Sequence, residues 1–390
     1  MPFLKYLFFF SVLLSTGNIS SQEFPVMAFH GVPPSYTGVD RFLQMKEAGF
    51  NINMTAYENN FQAEQALDAA HKAGVKILLL TPELIHETTK TVLRFRDHPA
   101  LFGYFVSDEP GATHFAAVAQ KVNEIRALDP HRPCYVNLYP NYAESDQLES
   151  SSYSDYLKEY ERQIDVSFIS FDHYPVVNNT IRPEWFANLE LIRKTAILQN
   201  KRFWGFANAT VFGPYQQPTL AGLRLQVFAN LLYGAQGIQY FSYWTLNDAA
   251  WRKNHFGHSI VDALGEPTVT FNVVRTVNQE LQQFAKVFMG GTIEAVYHTD
   301  NNLPQQTQRV PRRLYGATQI STLGSAIVAQ IRNKGIIYTS ILNKDLHRPL
   351  DLAFTSTVRT ESMGSKPQVY KAGARIRFML QPGELKIFKH

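Results

Sequence analysis

From residue 24 onward, short apolar runs alternate with longer amphipathic stretches, and the pair recurs eight times. "FPVMAFHG" precedes "VDRFLQMKEAG", "FNINMTAY" precedes "FQAEQALDAAHKAG", "VKILLLTPEL" precedes "HETTKTVLRFRDHPAL", and "FGYFVSDEP" precedes "HFAAVAQKVNEIRALDP". The alternation continues through "PCYVNLYP", "DVSFISFDHYP", "RFWGFANAT" and "GIQYFSYWT", each followed by a stretch with helical character. In the second of these stretches Ala63, Ala66, Leu67, Ala70 and Ala73 fall on one helical face, whereas the short runs are almost continuously apolar. Strands covered by helices on both sides of a parallel sheet read in that way. Eight such units predict an α/β fold, a (β/α)8 TIM barrel. An open doubly wound sheet competes, but it normally uses fewer strands, and no glycine-rich phosphate turn follows the first run.

The chain has 390 residues, more than the roughly 250 of a typical barrel, so a second unit is expected. After "MGGT" the texture changes to short alternating runs such as "SAIVAQIRN", "GIIYTSILN" and "RIRFML", punctuated by Gly, Asn, Asp and Pro. These predict a C-terminal all-β domain, sandwich-like, with no concentration of catalytic residue types. The expected division is a signal peptide at 1–21, the barrel at 22–288 and the β-domain at 289–390. A formal charge of only +4, with no basic block, argues against a nucleic-acid partner.

At the N-terminus, Lys5 precedes an apolar run from Tyr6 to Leu14 and then small polar residues up to Gln22. That run is too short to span a bilayer, and no later segment approaches about 20 apolar residues, so a cleavable signal peptide is expected and membrane insertion is not. No cysteine lies near the cleavage region to carry a lipid. The single cysteine, Cys134, sits in an apolar run and reads as a core residue. A secreted or periplasmic location follows, while the N-x-T/S matches at Asn53 and Asn178 leave a eukaryotic secretory origin open.

Barrel enzymes assemble their sites where the strands end and the βα loops begin. The strand ends here supply His30, Asn53 to Tyr57, Glu83, Asp108 and Glu109, Asn137 and Tyr139, Asp172, His173 and Tyr174, Asn208, and finally Tyr243 and Trp244. The mouth they predict is acidic and aromatic, with amides and no lysine. Carbohydrate fits such a lining, because sugar hydroxyls need hydrogen-bond partners and sugar ring faces stack on aromatic rings. Cleaving a glycosidic bond needs a protonated carboxyl beside the leaving oxygen and a second carboxylate. Glu109 is the candidate acid, since Pro110 holds it off the helix that follows. Asp108 is the better candidate for capping that helix.

These residues resemble the clan A glycoside hydrolases. "SDEP" is similar to that clan's strand-four Asn-Glu-Pro motif, with Asp108 in place of the asparagine, and the resemblance implies that Glu109 is the general acid/base. "DVSFISFDHYP" is similar to the clan's sixth strand and implies a site tyrosine at Tyr174, and "YFSYW" implies a stacking tryptophan at Trp244. The resemblance covers about residues 24 to 285. It breaks at strand seven, where the clan carries its nucleophilic glutamate and this chain offers only Asn208.

Three readings accommodate the gap. Asp172 can be the second carboxylate, a base on water if about 6.5–9.5 Å from Glu109 and a nucleophile if nearer 5 Å. Alternatively, Asp108 and Glu109 resemble the Asp-Glu pair of the substrate-assisted hexosaminidases of families 20 and 123. That resemblance implies that Asp108 orients an N-acetyl group, Tyr174 steadies it and Trp244 floors its pocket. In the third, the chain binds glycans without cleaving them. Asn137, Asn208 and Tyr243 are expected to line sugar subsites; Glu83 can equally pair with a basic residue, His30 reads first as a scaffold residue, and Asp172 can be held structurally by His173. No cofactor is expected, and the "HFGH" of His255 and His258 lacks a carboxylate or cysteine partner for a metal.

Overall fold

The computed structural model describes residues 23–390 except Asp248 and Asn254; the expected signal peptide lies outside the described residues. Eight parallel strands close into a barrel: β1 (Val26–Phe29), β2 (Ile52–Met54), β3 (Lys76–Leu79), β4 (Leu101–Asp108), β5 (Cys134–Leu138), β6 (Phe168–Phe171), β7 (Arg202–Asn208) and β8 (Ala235–Phe241). Each pairs with its sequence neighbours, and β8 returns to pair with β1. The principal helices are α1 (Val39–Glu47), α2 (Asn60–Ala73), α3 (Thr88–Phe95), α4 (Phe115–Leu128), α5 (Tyr153–Gln163), α6 (Trp185–Leu198), α7 (Leu220–Tyr233) and α8 (Val269–Phe288). The predicted TIM barrel is the observed fold.

Local signals account for these elements. Helix α2 begins where the Asn59 side chain accepts from the Gln62 N–H and ends at Gly74, whose φ of 69° is the left-handed stop. Its buried face includes the predicted alanines and Leu67. Inside the barrel, alternate residues of the strands interlock, with Phe168 stacked on Trp204 at 4.6 Å. A Cβ at position 237 would lie 2.3 Å from the Trp204 ring, so only glycine fits on β8 there.

One layer above this packing the interior turns polar. The Tyr135 hydroxyl donates to Gln239 Oε1 (2.6 Å), Gln239 Nε2 donates to Ser170 Oγ (2.9 Å), and Ser170 Oγ donates to Asn137 Oδ1 (2.8 Å). All four residues are buried. The column satisfies its own polar groups and runs from the apolar floor to the mouth.

Beyond α8, two antiparallel sheets of six and four strands form the predicted β-domain. On the strand Ala326–Asn333 the period of two is visible in its destinations: Val328 joins the core between the sheets, while Ile327, Ala329 and Ile331 face the barrel helices. The seam also holds a buried polar cluster. Lys344 Nζ lies 2.6 Å from Asp300 Oδ2, 3.2 Å from His298 Nδ1 and 4.8 Å from the centre of the Phe186 ring, and the Tyr233 hydroxyl of α7 meets His298 Nε2 at 2.9 Å. Burial lowers the Lys344 pKa, and it would raise that of Asp300, but the contacts from His298 and Lys344 outweigh it and hold Asp300 below the usual carboxylate range. Among the described residues no helix is long and apolar enough to cross a membrane.

Candidate active site

Neighbouring residues on a regular strand point to opposite faces, so Asp108 and Glu109 would not share a mouth if β4 ran straight. It does not: its register against β5 shifts between Phe105 and Ser107, and Glu109 has φ 44°, in the left-handed region that costs a non-glycine residue energy. The Glu109 N–H still reaches the Asn137 carbonyl at 2.9 Å. The turn brings both carboxyls to the same place, where Glu109 lies within hydrogen-bonding reach of Asp172 and feels the charge of Asp108.

Across the mouth, β6 and its extension point Ser170, Asp172 and Tyr174 inward. Because Asn137 Oδ1 is already occupied by Ser170, its amide nitrogen faces up, donating to Asp108 Oδ1 (3.1 Å) and Asp172 Oδ1 (3.3 Å). Asp172 takes a further hydrogen bond from Tyr174. Donors aimed at a carboxylate favour its ionised form. Burial, then the Asp108 charge, pushes Asp172 up to about 6, against the lowering effect of Glu109, Tyr174 and Asn137. Burial first, then the charge and hydrogen bond of Asp172 and the charge of Asp108, pushes Glu109 up to about 9. Asp108 is raised by burial and lowered by Asn137. The cluster therefore holds a proton on Glu109 and negative charge on Asp172 near neutral pH, the complement that acid-assisted bond cleavage needs.

Several strand-end residues go elsewhere. His173 alternates outward from Asp172, buried against α6 with Nδ1 2.9 Å from Asn188 Oδ1, and burial lowers its pKa to about 3, so it neither lines the mouth nor ties down Asp172. Strand β8 ends at Phe241, earlier than expected. Tyr243 is consequently fully buried against Phe50, and Trp244 packs under Tyr36 at 4.8 Å with 2% exposure; neither forms a sugar platform. Asn208 spends its amide on Thr210, donating to the carbonyl (3.0 Å) and accepting from the N–H (3.2 Å). Glu83 sits on the short helix Pro82–His86 and accepts from the Asn60 N–H at 3.0 Å, capping α2. Asp108 caps no helix, since α4 begins at Phe115 and its start has no side-chain cap. Half-buried His30 sits at the mouth, edge-on to Phe241 at 5.8 Å and Trp251 at 6.1 Å.

The aromatic wall comes instead from residues that no periodicity marks. Phe241 meets Tyr174, Phe212, Trp251 and Phe256, and Trp251 stacks on Phe256 at 3.9 Å. The only sequence signal is the connection after strand eight, "WRKNHFGH", rich in aromatic rings and histidines, whose first residues end the short helix Ala249–Lys253. Further round the rim, the Arg182 guanidinium lies 4.6 Å from the centre of the Tyr142 ring, and Tyr142 is hydrogen-bonded to Tyr215. Glu109 also borders a depression of about 620 Å³ lined by Val106, Pro110, His114, Lys121 and Tyr139 among others. Among the described residues no group of three or more His, Cys, Asp and Glu side chains is disposed to hold a metal ion.

No protein-family model and no curated protein sequence matches the chain. Solved structures do. A family 39 glycoside hydrolase from the gut symbiont Bacteroides cellulosilyticus WH2 aligns over 94% of this chain and 80% of its own at 9% identity, with a TM-score of 0.55. A glucosidase from Croceicoccus marinus aligns over 94% and 95% at 9% identity (TM-score 0.49), and an exo-β-1,4-mannosidase from an Opitutaceae bacterium, strain TAV5, over 67% and 60% at 14% (TM-score 0.49). The first of these likenesses bears out the barrel with its C-terminal β-domain; at such identity it is a likeness of fold.

Proposed function

We propose that the chain is an exported glycoside hydrolase in which Glu109 is the general acid/base and Asp172 the nucleophile. The observation that carries the reading is that the Glu109 and Asp172 carboxyls come within hydrogen-bonding reach of each other above the Asn137 amide. Carboxyls in hydrogen-bond contact leave no room for the water that an inverting pair holds across about 6.5–9.5 Å, and they lie nearer the spacing of about 5 Å used by retaining pairs. In the first step an Asp172 oxygen bonds to the anomeric carbon, the glycosidic C–O bond breaks, and the Glu109 proton passes to the leaving oxygen. In the second, Glu109 takes a proton from water, whose oxygen bonds to the same carbon and releases Asp172. Net retention results. Asn137 and Tyr174 supply the hydrogen bonds that keep Asp172 ionised until it attacks.

A panel of aryl glycosides and of plant and animal polysaccharides tests the proposal. Glu109→Gln must abolish turnover while glycan binding survives, and NMR of the first product must show retained configuration. Normal turnover by the Gln variant would sink it. Asp108 supports a second reading: it is the most exposed of the three carboxyls and takes the other Asn137 hydrogen, as a residue orienting a substrate N-acetyl group would. Cleavage confined to N-acetylhexosaminides and inhibited by an N-acetyl-thiazoline would favour it. Glycan affinity without any turnover would instead mean a binding protein. Export rests on the apolar N-terminal run, and N-terminal sequencing of the protein from cell fractions tests it.

A further inference from the structure

The mouth continues past the carboxyl cluster in two directions. On one side Glu109 is itself part of the wall of the 620 Å³ depression. On the other, Asp172 is close enough to Tyr142 for its charge to raise the phenol's pKa, after the larger effects of burial and of Tyr215, and Arg182 covers the Tyr142 ring. Arg182 also lines a second cleft, of about 480 Å³, between the ribbon of Val176–Val177 and Thr180–Ile181 and the β-domain loops at 300–305 and 344–347. Both hollows have the size of ligand sites. Glu109 lines the first and Arg182, over the Tyr142 ring, lines the second.

The second cleft is tied across its top, because His347 Nε2 lies 3.1 Å from the Asn179 carbonyl. Its charges are already matched internally: Lys344 with Asp300, and Asp345 with Arg348. What faces the opening is amide and apolar: Asn179, Asn302 and Gln305 are exposed, with Ile181, Leu303 and Leu346 half-buried between them. Amides beside apolar patches suit the hydroxyls and ring faces of an uncharged sugar chain.

We infer that depression, mouth and cleft form one groove that holds a neutral glycan chain on both sides of the bond being cut, with the β-domain as its distal wall, so cleavage is internal to the chain. The inference rests on the hydrolase reading above. Because Glu109 must face the leaving oxygen, the leaving portion lies in the depression and the retained portion runs past Arg182 into the cleft.

The test uses the full chain and oligosaccharides of increasing length, labelled at the reducing end, from the neutral polysaccharide that it degrades fastest. Asn302→Trp and Gln305→Trp fill the cleft from exposed positions. Wild-type kcat/KM is expected to rise with length and yield internal fragments from the outset. The Trp variants are expected to lose about tenfold on long chains, the worth of about 1.4 kcal/mol, and nothing on the shortest substrate. Length-independent kcat/KM, release of single end sugars, or wild-type behaviour of both variants overturns the groove while leaving the hydrolase reading intact. If no polysaccharide is cut, the hydrolase reading fails by itself and affinity electrophoresis through the same polysaccharides decides: retardation that the Trp variants weaken supports the groove, and unretarded migration overturns it.

Discussion

Replacing Asn137 by leucine removes one group and disturbs two aspartates. The Asn137 amide is the donor to both Asp108 and Asp172, at 3.1 and 3.3 Å, and leucine matches its size without its hydrogens. The fold should tolerate the loss, because the Ser170 hydroxyl can turn from Asn137 to the Tyr135 oxygen 3.0 Å away. A hydrogen bond to a charged acceptor contributes about 1.5–3 kcal/mol, and one pKa unit is about 1.36 kcal/mol, so both aspartates should rise, Asp172 by about 1 to 2 units. Asp172, about 6 in the wild type, then titrates at about 7 to 8. Activity needs Asp172 ionised, so it is present above that pKa and lost as pH falls through it; it needs Glu109 protonated, so it is lost as pH rises through about 9. The variant's acid limb therefore moves up, the window narrows from its acid side, and kcat/KM at pH 6 falls by about 5- to 50-fold, more than at the optimum. Carboxyl ¹³C NMR titration of wild type and Asn137→Leu reads the shift without any substrate, and pH profiles of kcat/KM read its consequence. A midpoint for Asp172 that stays put or falls in a folded variant would refute the assignment of the amide as the group that sets it.

The other expectations are independent of that variant. Glu109→Gln should be more stable than wild type, by about 1–3 kcal/mol at pH 8 and by little at pH 5. The folded wild type keeps a proton that the unfolded chain releases above the ordinary 4.5, so its stability declines as pH rises toward about 9; urea denaturation at the two pH values checks this. Asp172→Asn should lower kcat by about 10²–10⁴-fold and Asp108→Asn by less, and the reverse order in steady-state kinetics would move the nucleophile's role away from Asp172. Lys344→Met strands Asp300 in the seam and should cost about 3–5 kcal/mol in urea denaturation, with kcat/KM on short substrates unchanged. Tyr243→Phe removes a buried hydroxyl with no partner among the described residues, so stability should hold or rise by about 1 kcal/mol and kinetics not change; a large kinetic loss would return Tyr243 to the mouth.

The barrel is legible because periodicity is a property of many residues at once. The alanine face of α2 and the eight apolar runs each carry the pattern redundantly, so a misjudged boundary does not change the architecture. The site is legible only where it hangs on a strand. Asn137 and Asp172 sit on or one residue past strands whose alternation fixes their direction, and both reach the mouth. The same alternation sends His173 out, a distinction that a one-residue uncertainty in register erases. Tyr243 and Trp244 are misread for a different reason: β8 stops at Phe241, and apolar residues continue beyond it because the chain is entering another part of the core. Glu83 is taken up by the backbone of α2, a partner distant in sequence. Trp251 lies on the short helix Ala249–Lys253 and Phe256 just beyond it, in the long connection after β8, where position follows from contacts that no spacing rule encodes.

The polar column within the barrel has a consequence for how such a protein can change. Its members lie on β5, β6 and β8, below every loop that touches the rim, and they decide which way the Asn137 amide faces. Loops at the mouth and in the β-domain can therefore be lengthened, exchanged or lost in descent without reversing that amide. Altering the column removes the donor that holds the Asn137 oxygen inward, even if every residue at the rim is untouched. Ancestry that diversifies by trading loops would thus alter what is gripped while the ionisation of the carboxyls is inherited from below, and a substitution at Gln239 or Ser170, far from any ligand, would count as a change of chemistry.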